Sequence, residues 1–108
     1  LDISPLAEGH TLVIPKNVED DYIFNLDNDT YAGLWEFARK VARALKAAVP
    51  CKRVGVAVLG MEVPHTHIHL VPMQTEGDLD FRKQRPAVSD DRKAEIAAAA
   101  FAAFQNLK

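Results

Sequence analysis

The sequence has a single cysteine, no long apolar run and no strong excess of charge of either sign. Cys51 cannot form an internal disulfide or make a zinc site by itself, so we interpret it as a small buried residue in a reducing, cytoplasmic protein. The longest apolar run, residues 96–104, has nine residues and is mostly alanine. A membrane helix needs about 20. We therefore expect a soluble protein without a membrane partner.

The charge balance argues against one class of partner. The chain has 13 Lys and Arg and 15 Asp and Glu, a formal net charge of −2 with histidine neutral. Sequence-independent binding of nucleic acid requires a broad basic surface, which this composition does not supply. We expect no nucleic acid polymer as partner. The composition does not exclude a local basic pocket.

The length and composition are those of one compact domain. The chain has 108 residues, of which 48% are hydrophobic and 26% charged, values close to the globular average. There is no internal repeat and no flexible linker. The first residues, from Leu1, read as the end of a strand that enters a turn, so we expect further residues before Leu1.

Apolar periodicity predicts the order strand, helix, strand, strand, helix. A β-branched strand at residues 11–14 precedes a long helix that starts near Asp27 or Asn28 and closes at Pro50. The link between the strands at residues 53–60 and 65–72 is short, which favours an antiparallel hairpin because parallel pairing would need a crossover of a dozen residues or more. A last helix at residues 90–107 is capped by Ser89. The fold class is α+β, with a core over residues 1–74 and a loop and helix over 75–108 that dock on the core or on a partner subunit.

Three of the four histidines stand two residues apart, at His65, His67 and His69. Random placement of four histidines in a chain of this length would almost never produce this spacing. Alternate side chains of a strand share a face, so the three imidazoles point one way and Thr66 and Ile68 point to the core. This row is the candidate functional site.

Three interpretations of the row compete. A solvated surface would use residues other than three mutually repelling imidazoles. A metal shared by all three is excluded because His65 and His69 are about 13 Å apart along a strand, so a two-histidine metal site would need a third ligand such as Glu62 or His10. Phosphate chemistry fits best, because one neutral imidazole can attack while its neighbours donate hydrogen bonds to phosphoryl oxygens. His67, flanked on both sides, is the natural nucleophile.

The segment His65-Thr66-His67-Ile68-His69-Leu70-Val71 resembles the signature of the histidine triad (HIT) family, in which three histidines alternate with apolar residues. Residues 9–16, which contain His10, resemble the earlier strand of that family with its fourth histidine, and residues 1–6 resemble the segment before it. The long helix predicted between these segments is also typical of the family. The resemblance covers residues 1 to about 72 and implies an antiparallel meander sheet that usually dimerises through its long helix and an edge strand.

The resemblance also implies a chemistry and a role for each matching residue. The family attacks the α-phosphate of nucleoside monophosphate conjugates and passes through a nucleotidyl-histidine intermediate. By position, His67 is the nucleophile, His69 and His10 hold phosphate oxygens or attend the leaving group, and His65 orients the row. Asp2 matches the acceptor of the ribose hydroxyls.

The base pocket and the phosphate neighbourhood are matched less completely. Ile3 and Leu6 lie near the base pocket of the family, whose remaining strand would precede Leu1. Glu62 stands where many members have a Ser or Thr that touches phosphate, and Met61 replaces a loop Gln. Each lost neutral donor would weaken oxyanion stabilisation by up to about 3 kcal/mol. His69 itself favours hydrolysis, because the family branch that transfers nucleotides to sugar phosphates has Gln there.

The resemblance thus implies a homodimeric hydrolase of nucleotide conjugates, such as phosphoramidates or dinucleoside polyphosphates, and we expect it to need no metal or other cofactor. The alternative is a nucleotide-binding module with little or no turnover. The basic residues Arg82, Lys83 and Arg85 after the histidine row have two interpretations. They belong to a solvated loop, or the loop folds back over the histidines and one cation neutralises a leaving phosphate.

Overall fold

A computed structural model describes residues 1–2, 5–16, 20–59 and 65–107. In these ranges three strands form one sheet, with β1 at Thr11–Val13, β2 at Arg53–Ala57 and β3 at Ile68–Met73. The strand order is β1-β3-β2, and β3 pairs antiparallel with both neighbours. Two α-helices, α1 at Asn28–Ala48 and α2 at Asp90–Gln105, and two short 3-10 helices, at Ile23–Asn25 and Glu76–Leu79, complete the fold in the described ranges. The predicted α+β fold with an antiparallel sheet is confirmed.

Local sequence signals explain where α1 begins and ends. The Asp27 side chain accepts a hydrogen bond of 2.8 Å from the backbone N–H of Thr30, which satisfies one of the amides left exposed at the helix start. The helix stops at Ala48, two residues before Pro50. One face of α1 is buried on the sheet and forms the core with side chains of β1, β3 and the short 3-10 helix Ile23–Asn25. The buried core cluster comprises Val13, Ile23, Leu34, Ala38, Leu45, Ile68 and Leu70.

The second helix packs against the first. Ser89 caps α2 by accepting a hydrogen bond from the N–H of Arg92, as its position in the sequence predicted. Ile96 is buried, and the rings of Phe37 on α1 and Phe104 on α2 meet at 5.8 Å. No helix in the described ranges has both the length and the apolar character that a membrane span requires.

The structure corrects the start of the strand that carries the histidines. We expected a strand from His65, but β3 begins at Ile68, so only His69 of the row is a strand residue. The segment before β3 is held by another contact instead. Both the backbone N–H and the hydroxyl of Thr66 donate to the carbonyl of Asp20, at 2.9 and 2.8 Å. A buried hydroxyl needs such a partner, so Thr66 suits this position although apolar residues were expected there.

Candidate functional site

The centre of the sheet positions His69. This residue lies opposite Leu12 of β1 and Ala57 of β2, so its backbone is held from both sides. A turn places His10 beside it just before β1. Gly9 in this turn has φ of +87°, and a Cβ there would come within 3.0 Å of Pro72 and Val49 side-chain atoms. Only glycine fits this turn without strain, and the turn aims the His10 ring at β3.

The four histidines form a contiguous group of rings. Ring centroids are 6.3 Å apart for His65 and His67, 4.8 Å for His67 and His69, and 5.2 Å for His10 and His69. His10, His67 and His69 are 1%, 4% and 8% exposed. The solvated-surface interpretation of the row is therefore wrong. His65, at the start of the row, is half-buried.

One hydrogen bond defines the tautomer of His67. Its Nδ1 lies 3.0 Å from the carbonyl oxygen of His65. A carbonyl only accepts, so Nδ1 carries the proton and donates. In the neutral ring the lone pair is then on Nε2. His65 thus acts on His67 through its backbone carbonyl, and the arrangement provides His67 with a nucleophilic nitrogen of defined direction.

A second chain of hydrogen bonds sets the tautomers of His10 and His69. The backbone N–H of Leu6 donates to Nδ1 of His10 at 3.0 Å, so the proton of the neutral His10 ring is on Nε2. Nε2 of His10 lies 2.9 Å from Nδ1 of His69 and donates to it. The remaining proton of His69 is therefore on its Nε2. One backbone amide thus makes His69 Nε2 a hydrogen-bond donor, as a phosphate oxygen requires.

Both bonded histidines are held neutral. Burial lowers the pKa of His69 to about 4, and the nearby His10 and His67 act in the same direction. Burial also lowers the pKa of His10, against the opposing charge of Asp2. A protonated His10 would turn Nδ1 into a second donor facing the Leu6 N–H, so the geometry and the lowered pKa agree.

Asp2 lies next to this chain of hydrogen bonds. Its backbone N–H donates to the carbonyl of His10 at 2.8 Å, and its carboxylate is 3.5 Å from His10 Nε2. Asp2, His10 and His69 offer atoms within 4.8 Å of one another, a spacing that a metal ion can also use. The two imidazole nitrogens are, however, joined by a shared proton at 2.9 Å, so metal binding would require breaking that bond.

The loop after β3 folds back onto the histidines. The ring of Phe81 meets His69 edge-on at 4.8 Å between centroids and His10 at 6.3 Å. The Arg85 guanidinium lies 5.8 Å from the Phe81 ring centre. Arg82, in contrast, has a side chain that is 91% exposed and pairs with Asp80 at 3.3 Å. The loop therefore brings Phe81 and Arg85 to the site and leaves Arg82 in solvent.

The predicted site residues divide into three groups. His67, His69, His10 and Asp2 come together, and His65 adjoins them. Leu6 is fully buried and contributes its backbone N–H. Ile3, Met61 and Glu62 lie outside the described residues. Sequence reasoning missed Phe81, whose only signal was a lone aromatic residue in a polar loop.

The family model called HIT domain matches residues 1–76, which include all four histidines and Asp2. The chain belongs to the HIT family. Among its HIT relatives, an uncharacterized HIT-like protein of Borreliella burgdorferi is 32% identical over 77% of this chain and 64% of its own length. The adenosine 5'-monophosphoramidase of Saccharomyces cerevisiae is 31% identical over 70% of this chain and 48% of its own length. The chain thus spans less than two thirds of either relative.

Solved HIT structures share the whole fold. A hypothetical histidine triad nucleotide-binding protein from Sulfolobus tokodaii superposes with a TM-score of 0.78 and 30% identity, and the match covers 100% of this chain and 77% of that one. A zinc-bound histidine triad family protein from Mycobacterium smegmatis gives a TM-score of 0.72 at 30% identity, over 97% and 76% of the two chains. The second helix therefore has a counterpart in a solved relative, although the family model ends at residue 76.

Proposed function

We propose that this protein hydrolyses nucleoside monophosphate conjugates through a nucleotidyl intermediate on His67. The observation that carries the proposal is the tautomer of His67: its Nδ1 donates to the His65 carbonyl, and the lone pair of the neutral ring is on Nε2. The ring of the neighbouring His69, whose centroid is 4.8 Å from that of His67, carries a neutral N–H donor. A nucleophile beside a preorganised donor is the arrangement that phosphoryl chemistry needs.

The proposed reaction has two steps. In the first, the lone pair of His67 Nε2 attacks the α-phosphorus, and the nitrogen–phosphorus bond forms as the bond to the leaving group breaks. The leaving group departs with that electron pair and, where it is an amine, takes a proton from water. In the second, a water oxygen forms a bond to the same phosphorus, the bond to His67 breaks and its electron pair returns to Nε2. The attacking water gives up a proton to the solvent, and the nucleoside monophosphate is released.

The other residues bind and orient in this scheme. His69 Nε2 donates to a phosphate oxygen, and its removal would cost on the order of 10² to 10³ in turnover. His10 has both ring nitrogens in hydrogen bonds, so we assign it to holding His69. Asp2 is the proposed acceptor of the ribose hydroxyls, and Ile3 and Leu6 stay the residues proposed for the base pocket. Glu62 stays the residue proposed beside the phosphate.

The leaving group is proposed to extend toward the loop after β3. This loop faces residues 6–8 across a cavity of about 650 Å³, whose charged lining residues are Lys83 and Arg85 together with Glu8 and Asp78. Arg85 is the cation whose charge acts on both His10 and His69, which makes it the candidate to meet an anionic leaving group. Arg82 is exposed and pairs with Asp80, so we assign it to the solvated loop.

The relatives support a nucleotide conjugate as substrate, and the alternative remains a binding module with little turnover. The yeast relative is named as an adenosine 5'-monophosphoramidase, and an Arabidopsis thaliana relative, 27% identical over 89% of this chain and 55% of its own length, as a bis(5'-adenosyl)-triphosphatase and adenylylsulfatase. The two activities share attack at a phosphate attached to adenosine and differ in the leaving group.

Covalent trapping tests the proposal. The protein is mixed with a nucleoside phosphoramidate labelled at the α-phosphate and quenched during turnover, and we expect an acid-labile label on His67. His67→Asn should lose both label and turnover, by several orders of magnitude, because the covalent route is gone. His65→Asn is the matched control, since it replaces an imidazole of the same row and keeps the backbone carbonyl that orients His67.

Two results would contradict the proposal. Equal turnover in the wild type and His67→Asn would exclude the covalent route. Tight nucleotide binding with neither label nor product, tested with purine and pyrimidine phosphoramidates and dinucleoside polyphosphates, would establish the binding module instead.

A further inference from the structure

Phe81 occupies a special position beside the histidines. Its ring centroid lies 4.8 Å from that of His69 and 6.3 Å from that of His10, and the two interplanar angles are 74° and 79°. The residue lies five positions beyond the end of the matched HIT segment at residue 76. A phenyl ring in this place covers one side of the hydrogen-bonded His10–His69 pair.

The loop that carries Phe81 is braced by its own hydrogen bonds. The carboxylate of Asp78 accepts from the backbone N–H groups of Gln74 and Thr75 at 2.8 and 3.0 Å and lies 3.6 Å from the Lys83 ammonium. The side chain of Gln74 donates to the carbonyl of Pro50 at 2.8 Å, which ties the loop to the end of α1. The position of Phe81 is thus set by polar contacts outside the histidine cluster.

Arg85 holds the ring from another side. Its guanidinium lies 5.8 Å from the ring centre of Phe81 and donates to the Phe81 carbonyl at 3.5 Å. Such a cation is attracted to the face of an aromatic ring. The charges that face His69 are those of Asp2 and Arg85, together with the titratable rings of His10 and His67.

We propose that Phe81 is a positioning residue for His69: it excludes water from the His10–His69 hydrogen bond and so preserves the neutral Nε2–H donor. The physical reason is that the hydrogen bond between His10 and His69 needs one donor and one acceptor nitrogen. A proton added to His69 Nδ1 would face the Nε2–H of His10, and the bond between the two rings would break. The part of the proposal that concerns turnover depends on the function proposed above, whereas the part that concerns His69 does not.

Titration of the imidazoles by nuclear magnetic resonance tests the proposal on the free protein. In the wild type we expect His69, assigned by its absence in His69→Gln, to titrate with a pKa of about 4. Phe81→Ala should raise the pKa of His69 toward its ordinary value of 6.5, because water then reaches the ring. Phe81→Leu keeps an apolar side chain over the ring and should stay close to the wild type.

Matched controls separate this effect from a general loss of an aromatic or a cation. Phe101→Ala, at an exposed phenyl on α2, should leave the pKa of His69 unchanged. Arg85→Gln should raise that pKa by less than Phe81→Ala, since its charge is the smallest of the causes, and Arg82→Gln should not change it.

The pH profile of kcat tests the part of the proposal that concerns turnover. The ratio of kcat in Phe81→Ala to kcat in the wild type should fall as the pH is lowered from 7.5 toward 5, because His69 becomes protonated in that variant first. In Phe81→Leu the same ratio should stay nearly constant over this range. A folded Phe81→Ala variant whose His69 still titrates near 4 would overturn the proposal. An upward shift in a protein without turnover would uphold the positioning of His69 and contradict only the proposed function.

Discussion

The fold requires the buried imidazoles of His69 and His10 to be neutral. This requirement lowers the free energy of unfolding at acidic pH. In the unfolded chain a histidine binds a proton below about pH 6.5. In the folded chain burial lowers the pKa of His69 to about 4 and also lowers that of His10. The unfolded state therefore binds more protons between these limits, and stability must fall as the pH falls.

We predict the size of this loss from His69 alone. The free energy of unfolding at about pH 5 should be roughly 2 kcal/mol lower than at about pH 7.5, as measured by urea denaturation. The contribution is fully present above the unfolded pKa and decreases as the pH approaches 4. His10 should add to the loss in the same direction.

The control for this prediction is His69→Gln, which keeps a side chain of similar size without an imidazole. Its unfolding free energy should change less between the two pH values. An equal pH dependence in both proteins would show that His69 is protonated alike in the folded and unfolded states.

At the scale of the elements, substitutions on α2 measure how much this helix contributes to the stability of the core. Ile96 is 1% exposed, whereas Phe101 on the same helix is 64% exposed. We predict that Ile96→Ala lowers the free energy of unfolding by about 2 to 4 kcal/mol, because it removes a branched side chain and leaves a cavity. Phe101→Ala should change it by less than about 0.5 kcal/mol.

Denaturant unfolding of both variants measures the difference. A small effect of Ile96→Ala would mean that α2 contributes little to the stability of the core. A large effect of Phe101→Ala would instead mean that another surface covers this ring in solution, such as a partner subunit.

At the scale of the whole molecule, we propose that the protein is a homodimer formed through α1 and the edge of the sheet. In the described part of the chain β2 has a neighbour on one side only, and Val56 on β2 and Phe37 on α1 are both exposed. An exposed edge strand can pair with a second copy, which covers its unpaired backbone groups and the apolar side chains beside it.

Sedimentation velocity at micromolar concentration should give about twice the chain mass of 11.9 kDa. Val56→Lys should shift the mass toward a monomer, because it buries a charge in the proposed interface. Phe24→Lys, a similar change at an exposed ring of the 3-10 helix, should keep the dimer. A wild-type protein that sediments as a monomer would contradict the proposal.

Local signals in the sequence determined much of the fold. The capping residues Asp27 and Ser89 start the two helices as predicted, because the contacts that cap a helix span only a few residues. The spacing of His67 and His69 was enough to identify the candidate site, since residues two apart in extended chain share a face. The start of β3 at Ile68 was not predictable in this way, because Thr66 is held by the distant Asp20.

Only the tertiary structure determined the contacts and tautomers of the histidines. His10 and His69 are 59 positions apart, and the tautomers of both depend on the backbone N–H of Leu6, a group that every residue except proline has. Phe81 approaches the pair because Asp78 and Gln74 brace its loop. Side-chain alternation places residues on a face, but contacts between distant segments set which nitrogen carries a proton and which ring excludes water, and only the folded chain brings those segments together.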